Sequence, residues 1–105
     1  MNSNIIKDLV NEELRKATEK FKPLKSTHEG YAVILEEIDE LYDDIDCIKS
    51  YINKIWVQVK ANNKNVDTPS MEYSVEYLYS YALLAIKEAI QVAAMAKRFQ
   101  MDIFN

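Results

Sequence analysis

Turn-forming residues are scarce in this chain. One glycine and two prolines among 105 residues are too few for a sheet built from many short hairpins. A single cysteine, Cys47, excludes any internal disulfide and makes a cytoplasmic location the default expectation. The single histidine, His28, has no cysteine at metal-ligand spacing, so a zinc site lacks ligands. Nothing near it supports a Ser-His-Asp or Cys-His nucleophilic centre. No run of about 18 uninterrupted apolar residues occurs, which predicts no membrane span. The polar stretch over residues 1–7 lacks the apolar core of a signal peptide. Cys47 itself reads as a small buried hydrophobe on an apolar-rich helix.

What is present is a soluble globular balance: 49% apolar and 29% charged residues, in a length that suits one domain. The net charge of −4 argues against direct nucleic-acid binding. That total hides an asymmetry. Eight of the 17 acidic residues lie between Glu29 and Asp46, and no lysine or arginine occurs between Lys25 and Lys49. Outside that window 13 basic residues face nine acidic ones.

Hydrophobic periodicity predicts three helical segments, at about residues 4–21, 28–60 and 69–104. In the first, Ile5, Ile6, Leu9, Val10, Leu14, Ala17 and Phe21 recur at helical spacing behind a Ser3 cap, and Pro23 ends it. The second opens on Ser26-Thr27-His28-Glu29, a capping box in which Ser26 and Glu29 each satisfy a backbone N–H of the other. Its apolar residues then follow heptads. Tyr31, Ile38, Ile45, Ile52 and Val59 form one row, and Ile34, Leu41, Ile48 and Ile55 the other. Such a helix is about 50 Å long at 1.5 Å per residue, whereas a compact chain of this size has a radius of gyration near 13 Å. The expected fold is therefore all-α, an elongated bundle of three to four helices completed by oligomerisation. Residues 61–67 read as a loop. Thr68 then caps the third helix, with Pro69 at its first position and a candidate break near Ser80. On that helix Ala82, Ala85, Ala89, Ala93 and Ala96 predict a smooth face for close helix approach. Tyr73, Tyr77 and Tyr81 form a stripe expected to pack rather than to stack a ligand.

The acidic window carries the chemistry. Glu36, Glu37, Asp39, Glu40, Asp43 and Asp44 fall within nine residues, and at 100° per residue at least five of them share one helix face. Such faces are commonly just solvated. Solvated faces normally mix signs, however, because like charges at i, i+4 destabilise a helix by roughly 0.2–0.5 kcal/mol per pair. Glu36 with Glu40, Asp39 with Asp43 and Glu40 with Asp44 all repel. Carboxylates one turn apart can share a hard ion such as Mg²⁺, and spacing alone leaves both possibilities open.

The stretch His28-Glu29-Gly30-Tyr31-Ala32-Val33-Ile34-Leu35-Glu36-Glu37-Ile38-Asp39-Glu40-Leu41 resembles the helix of MazG-like, all-α nucleoside triphosphate pyrophosphohydrolases, particularly the small phage and prophage members. Their hallmark is E-E-x-x-E on one helix and E-x-x-D on a later one. Glu36, Glu37 and Glu40 match the first part. In Lys87-Glu88-Ala89-Ile90-Gln91-Val92-Ala93-Ala94-Met95-Ala96, Glu88 fits the later glutamate, and Gln91 replaces the aspartate. The resemblance spans roughly residues 21–48 and 82–100, over 40% of the chain. It implies a homodimer or homotetramer in which carboxylates hold Mg²⁺ (or Mn²⁺) and a nucleoside triphosphate is cut to monophosphate and pyrophosphate. By this analogy Glu37, Glu40 and Glu88 are metal ligands, and Gln91 a weak ligand or a hydrogen-bonding neighbour of the ligands. Glu36 and Glu37 are the catalytic carboxylates, with Glu36 either a ligand or the group that orients water. Of the basic residues, Lys87 and Lys54 are the candidates for phosphate contact. The competing expectation is a non-catalytic helical oligomer, or a nucleotide- or partner-binding protein of the same fold. Gln91 favours this alternative and the intact Glu36-Glu37-x-x-Glu40 favours the enzyme.

Overall fold

A computed structural model describes residues 2–61 and 68–104. Three helices make up almost all of them, with no strand among the described residues: α1 (Ser3–Lys20), α2 (Thr27–Ala61) and α3 (Thr68–Ile103). The all-α expectation holds, and the helix limits agree with the sequence to within a residue. Local chemistry differs at several points. The α1 cap is Asn2 rather than Ser3: its side-chain oxygen accepts the Asn4 N–H at 2.8 Å, and Ser3 is already helical. At the start of α2, Ser26 Oγ accepts the Glu29 N–H at 3.1 Å as expected. The Glu29 carboxylate, however, reaches the N–H of Lys25 at 3.4 Å rather than that of Ser26. The expected break near Ser80 does not occur, because an exposed serine without a neighbouring glycine or proline does not interrupt a helix held by its flanks. Of the expected loop, Ala61 belongs to α2. The remainder, and the capping expected of the Thr68 side chain, lie outside the described residues.

The chain divides into two compact units, residues 1–40 with 87–105 and residues 41–86. The first contains α1, the opening of α2 and the closing half of α3. Its core is small: Leu14 and Ala17 on α1, Leu24 in the linker, Gly30 on α2 and the fully buried Ala94 on α3. The alanine face predicted for α3 is therefore displaced. Ala89, Ala93 and Ala96 are exposed, while Ala94, in register with Gln91 and Arg98, makes the close contact. The other close approach is at Gly30. A β-carbon built there would overlap the Phe99 ring, lying 2.8 Å from its Cγ. Gly30 has no unusual backbone conformation, so the constraint is steric alone.

Arg98 ties the linker to this unit. Only 5% exposed, it donates through Nη2 to the Lys22 carbonyl at 2.7 Å and lies over the Phe21 ring at 5.7 Å. Asp102, one turn on and 3.7 Å from Arg98 Nε, accepts the Leu24 N–H at 2.8 Å. Pro23, which has no N–H to satisfy, sits between the two clamped residues. Lys97 adds a bond to Asn11 Oδ1 at 2.8 Å, joining α3 to α1.

In the second unit Tyr51 of α2 stacks between Tyr77 and Tyr81 of α3, with ring centroids 5.3 and 5.8 Å apart. Two members of the tyrosine stripe thus stack on Tyr51, Tyr81 half-buried and Tyr77 exposed, and Tyr73 is exposed as well. Cys47 is free and half-buried. Of the two heptad rows, Ile34, Leu41, Ile48 and Ile55 are half-buried throughout, whereas Tyr31, Ile52 and Val59 of the other row are exposed.

Gly30→Ala should lower stability despite its better helix propensity. The propensity gain is about 1 kcal/mol, against an overpacking cost of about 1–3 kcal/mol. Denaturant unfolding should show a net loss that shrinks when Phe99→Leu is combined with it. Additive effects of the two substitutions would contradict the contact.

Candidate functional site

Glu37 and Glu40 are three residues apart on α2, so their side chains leave the helix from neighbouring positions on one face. Glu88 and Gln91 have the same spacing on α3. The packing of the first unit, set by Gly30 against Phe99 and by the buried Ala94, turns these two pairs toward each other. One carboxylate oxygen from each of Glu37, Glu40 and Glu88 lies within 4.8 Å of the other two. Glu37 and Glu88 are half-buried and Glu40 is exposed.

The cluster is electrostatically costly. Burial pushes the Glu88 carboxyl up to about 7, helped by the hydrogen bond and charge of Glu40 and then by those of Glu37. Glu37 is raised too, first by burial and then by the charge of Glu40, but its hydrogen bond from Glu88 acts in the opposite direction. Burial and like charge therefore favour a proton retained within the Glu37–Glu88 pair. Gln91 completes the arrangement. Its hydrogen-bonding surroundings orient the amide so that the nitrogen donates to Glu37 Oε2 and Glu88 Oε2, each at 2.9 Å.

The structure thus brings together Glu37, Glu40, Glu88 and Gln91 from the candidate residues. Glu36 is exposed one residue earlier and lies outside the trio. It lines a separate cavity of about 400 Å³ with Glu29, Lys22, Arg98 and Glu37. Lys87 is exposed beside Glu88 and lines neither cavity next to the cluster, and Lys54 belongs to the second unit. A second cavity, of about 420 Å³, runs from Glu37 and Gln91 to Glu13, Lys16, Lys20 and Phe21. Sequence reasoning gave α1 no part in the site. The signal was available: residues 13, 16, 17, 20 and 21 follow the i, i+3, i+4, i+7, i+8 spacing of a single helix face.

No family model, curated protein or solved structure matches this chain. The chemistry of the cluster therefore rests on its own geometry. Three carboxylate oxygens, half-buried at Glu37 and Glu88 and exposed at Glu40, lie close enough to share one hard cation, and acidic groups at such spacing are also common without one.

The folded protein keeps a proton on Glu88 that the unfolded chain releases near 4.5. This group therefore favours folding at low pH, and its contribution is lost as pH rises from about 4.5 through about 7. The melting temperature of metal-free protein should fall across that window, and Glu88→Gln should flatten the dependence. A variant with the same slope as the parent chain would place the proton elsewhere.

Proposed function

We propose that the chain is a homo-oligomeric, cytoplasmic pyrophosphohydrolase of the MazG-like kind, which cuts nucleoside triphosphates to monophosphate and pyrophosphate with Mg²⁺ or Mn²⁺ as its cation. The convergence of Glu37, Glu40 and Glu88 from two helices supports it. Glu40 and Glu88, 48 positions apart in sequence, are held close enough that burial and like charge raise the Glu88 carboxyl to about 7. The donor set fits the cation, since Mg²⁺ takes oxygen ligands, needs only a few carboxylates and retains waters. Glu37, Glu40 and Glu88 would hold it, and Gln91 can offer its carbonyl oxygen by turning its amide. When bound, the cation supplies neutralising charge to phosphate oxygens and acidifies water. Glu36, exposed beside Glu37, is the carboxylate free to orient or deprotonate the attacking water. Lys87, exposed next to Glu88 on α3, is the basic residue adjoining the cluster in sequence.

The oligomer rests on exposed apolar residues. In the second unit Ile52, Trp56 and Val59 of α2 and Leu83, Leu84 and Ile86 of α3 all face solvent in the isolated chain. Clusters of this kind mark association surfaces. Among the described residues no helix is long and apolar enough to cross a membrane.

A second possibility is a nucleotide- or partner-binding helical oligomer without turnover. The Gln91 amide favours it, because its two hydrogen bonds satisfy the carboxylates without any cation.

Purified protein screened with Mg²⁺ against canonical and modified triphosphates should release pyrophosphate. Glu40→Gln should reduce that release by at least 100-fold with the circular dichroism spectrum unchanged. Full activity in Glu40→Gln would remove the cluster from the chemistry, and absence of turnover on every substrate would leave the binding protein. Light scattering should give a dimer or tetramer mass, and Trp56→Glu should shift it toward monomer. A monomeric parent chain would contradict the assembly.

A further inference from the structure

We propose that α1 supplies the anion-binding wall of the site, with Lys16 and Lys20 taking the phosphate chain of the substrate in the cavity they share with Glu37 and Gln91. The inference rests on the pyrophosphohydrolase reading for its substrate class, and it replaces lysines chosen from sequence with lysines that line the cavity beside the cluster. That cavity, about 420 Å³, is within the range of small-molecule sites.

Its lining carries both signs of charge. Glu37 and Gln91 border it from the carboxylate cluster, and Glu13, Lys16 and Lys20 border it from α1, with Phe21. If the lysines served only as counter-ions to the cluster, they would reach it. Among the described residues neither ammonium lies within 4 Å of Glu37, Glu40 or Glu88. The ion pair of Lys16 is with Glu13 on its own helix, at 3.7 Å and largely exposed. Lys20 has no carboxylate within that distance and lies instead over the Phe21 ring, 5.4 Å from its centre. Lys16 and Lys20 therefore border a space of ligand size without pairing with the cluster carboxylates.

Charge order decides what fits the space. A simple anion is repelled by Glu37 and Glu13, and a simple cation belongs at the carboxylates. A phosphate chain carrying a divalent cation satisfies both signs of charge, with its cation toward Glu37, Glu40 and Glu88 and its outer oxygens toward Lys16 and Lys20. The long, exposed Lys16–Glu13 pair is weak enough to give way to a phosphate oxygen, and flexible lysine ammoniums suit phosphate as point charges.

The test is calorimetric titration with tripolyphosphate in the presence of Mg²⁺, with Mn²⁺ binding followed separately by electron paramagnetic resonance. Lys16→Ala/Lys20→Ala should weaken tripolyphosphate binding at least ten-fold and leave Mn²⁺ affinity within two-fold of the parent chain. Lys16→Arg/Lys20→Arg should restore most of the binding. Lys7→Ala/Lys25→Ala removes the same charge away from the cavity and should change it less than two-fold. The proposal is overturned if the parent chain binds no tripolyphosphate, if the alanine pair binds it normally, or if the control pair loses as much. A parent chain that binds no Mn²⁺ but holds tripolyphosphate through Lys16 and Lys20 would overturn the metal-dependent hydrolase and leave the anion wall standing.

Discussion

Like charges facing one another across a helix–helix seam must share a proton, meet a cation or force the seam apart. Glu37 and Glu40 on α2 and Glu88 on α3 are in that position, and the first unit is arranged around the conflict. The seam cannot relax by sliding open, because it is held by steric fit. Gly30 admits the Phe99 ring where any side chain would exclude it, and Ala94 is buried completely. The repulsion is therefore absorbed locally, by a proton on Glu88 and by the two N–H groups of Gln91.

The same packing recruits α1. Arg98 grips the Lys22 carbonyl, Asp102 grips the Leu24 N–H, and the linker between α1 and α2 is fixed at two points on either side of Pro23. An arginine so deeply buried is costly unless its partners are in place. The linker path is thereby tied to the register of α3. Phe21, at the end of α1, borders both cavities that adjoin Glu37. The clamp residues Arg98 and Asp102 are four and eight residues downstream of Ala94, so the contact that positions the linker and the contact that builds the cluster share one helix.

Local signals in the sequence were faithful and partner signals were not. Hydrophobic periodicity located three helices to within a residue, because it is a property of a segment by itself. The E-E-x-x-E pattern nominated Glu36, Glu37 and Glu40 together. Only Glu37 and Glu40 share the face that meets Glu88, since Glu36 is rotated by about 100° from its neighbour. The alanine series was read with the right period and assigned to the wrong contact: Ala94, outside that series, fills the seam. Lys16 and Lys20 were invisible for a related reason. Their face on α1 has the spacing of a site wall, but nothing in a helix sequence states which other helix it will meet.

Gln91 shows why the neutral residue and the charged cluster belong to one problem. An aspartate at this position would add a fourth negative charge to a group that already retains a proton. The folded chain would then depend more heavily on a bound cation. The amide donates two hydrogen bonds in the absence of the ion and, after a half-turn of its side chain, presents a carbonyl oxygen in its presence. It lowers the cost of the metal-free state and at the same time lowers the electrostatic pull on the metal. On the proposed reading, stability without the cation and affinity for it are opposed through this single side chain.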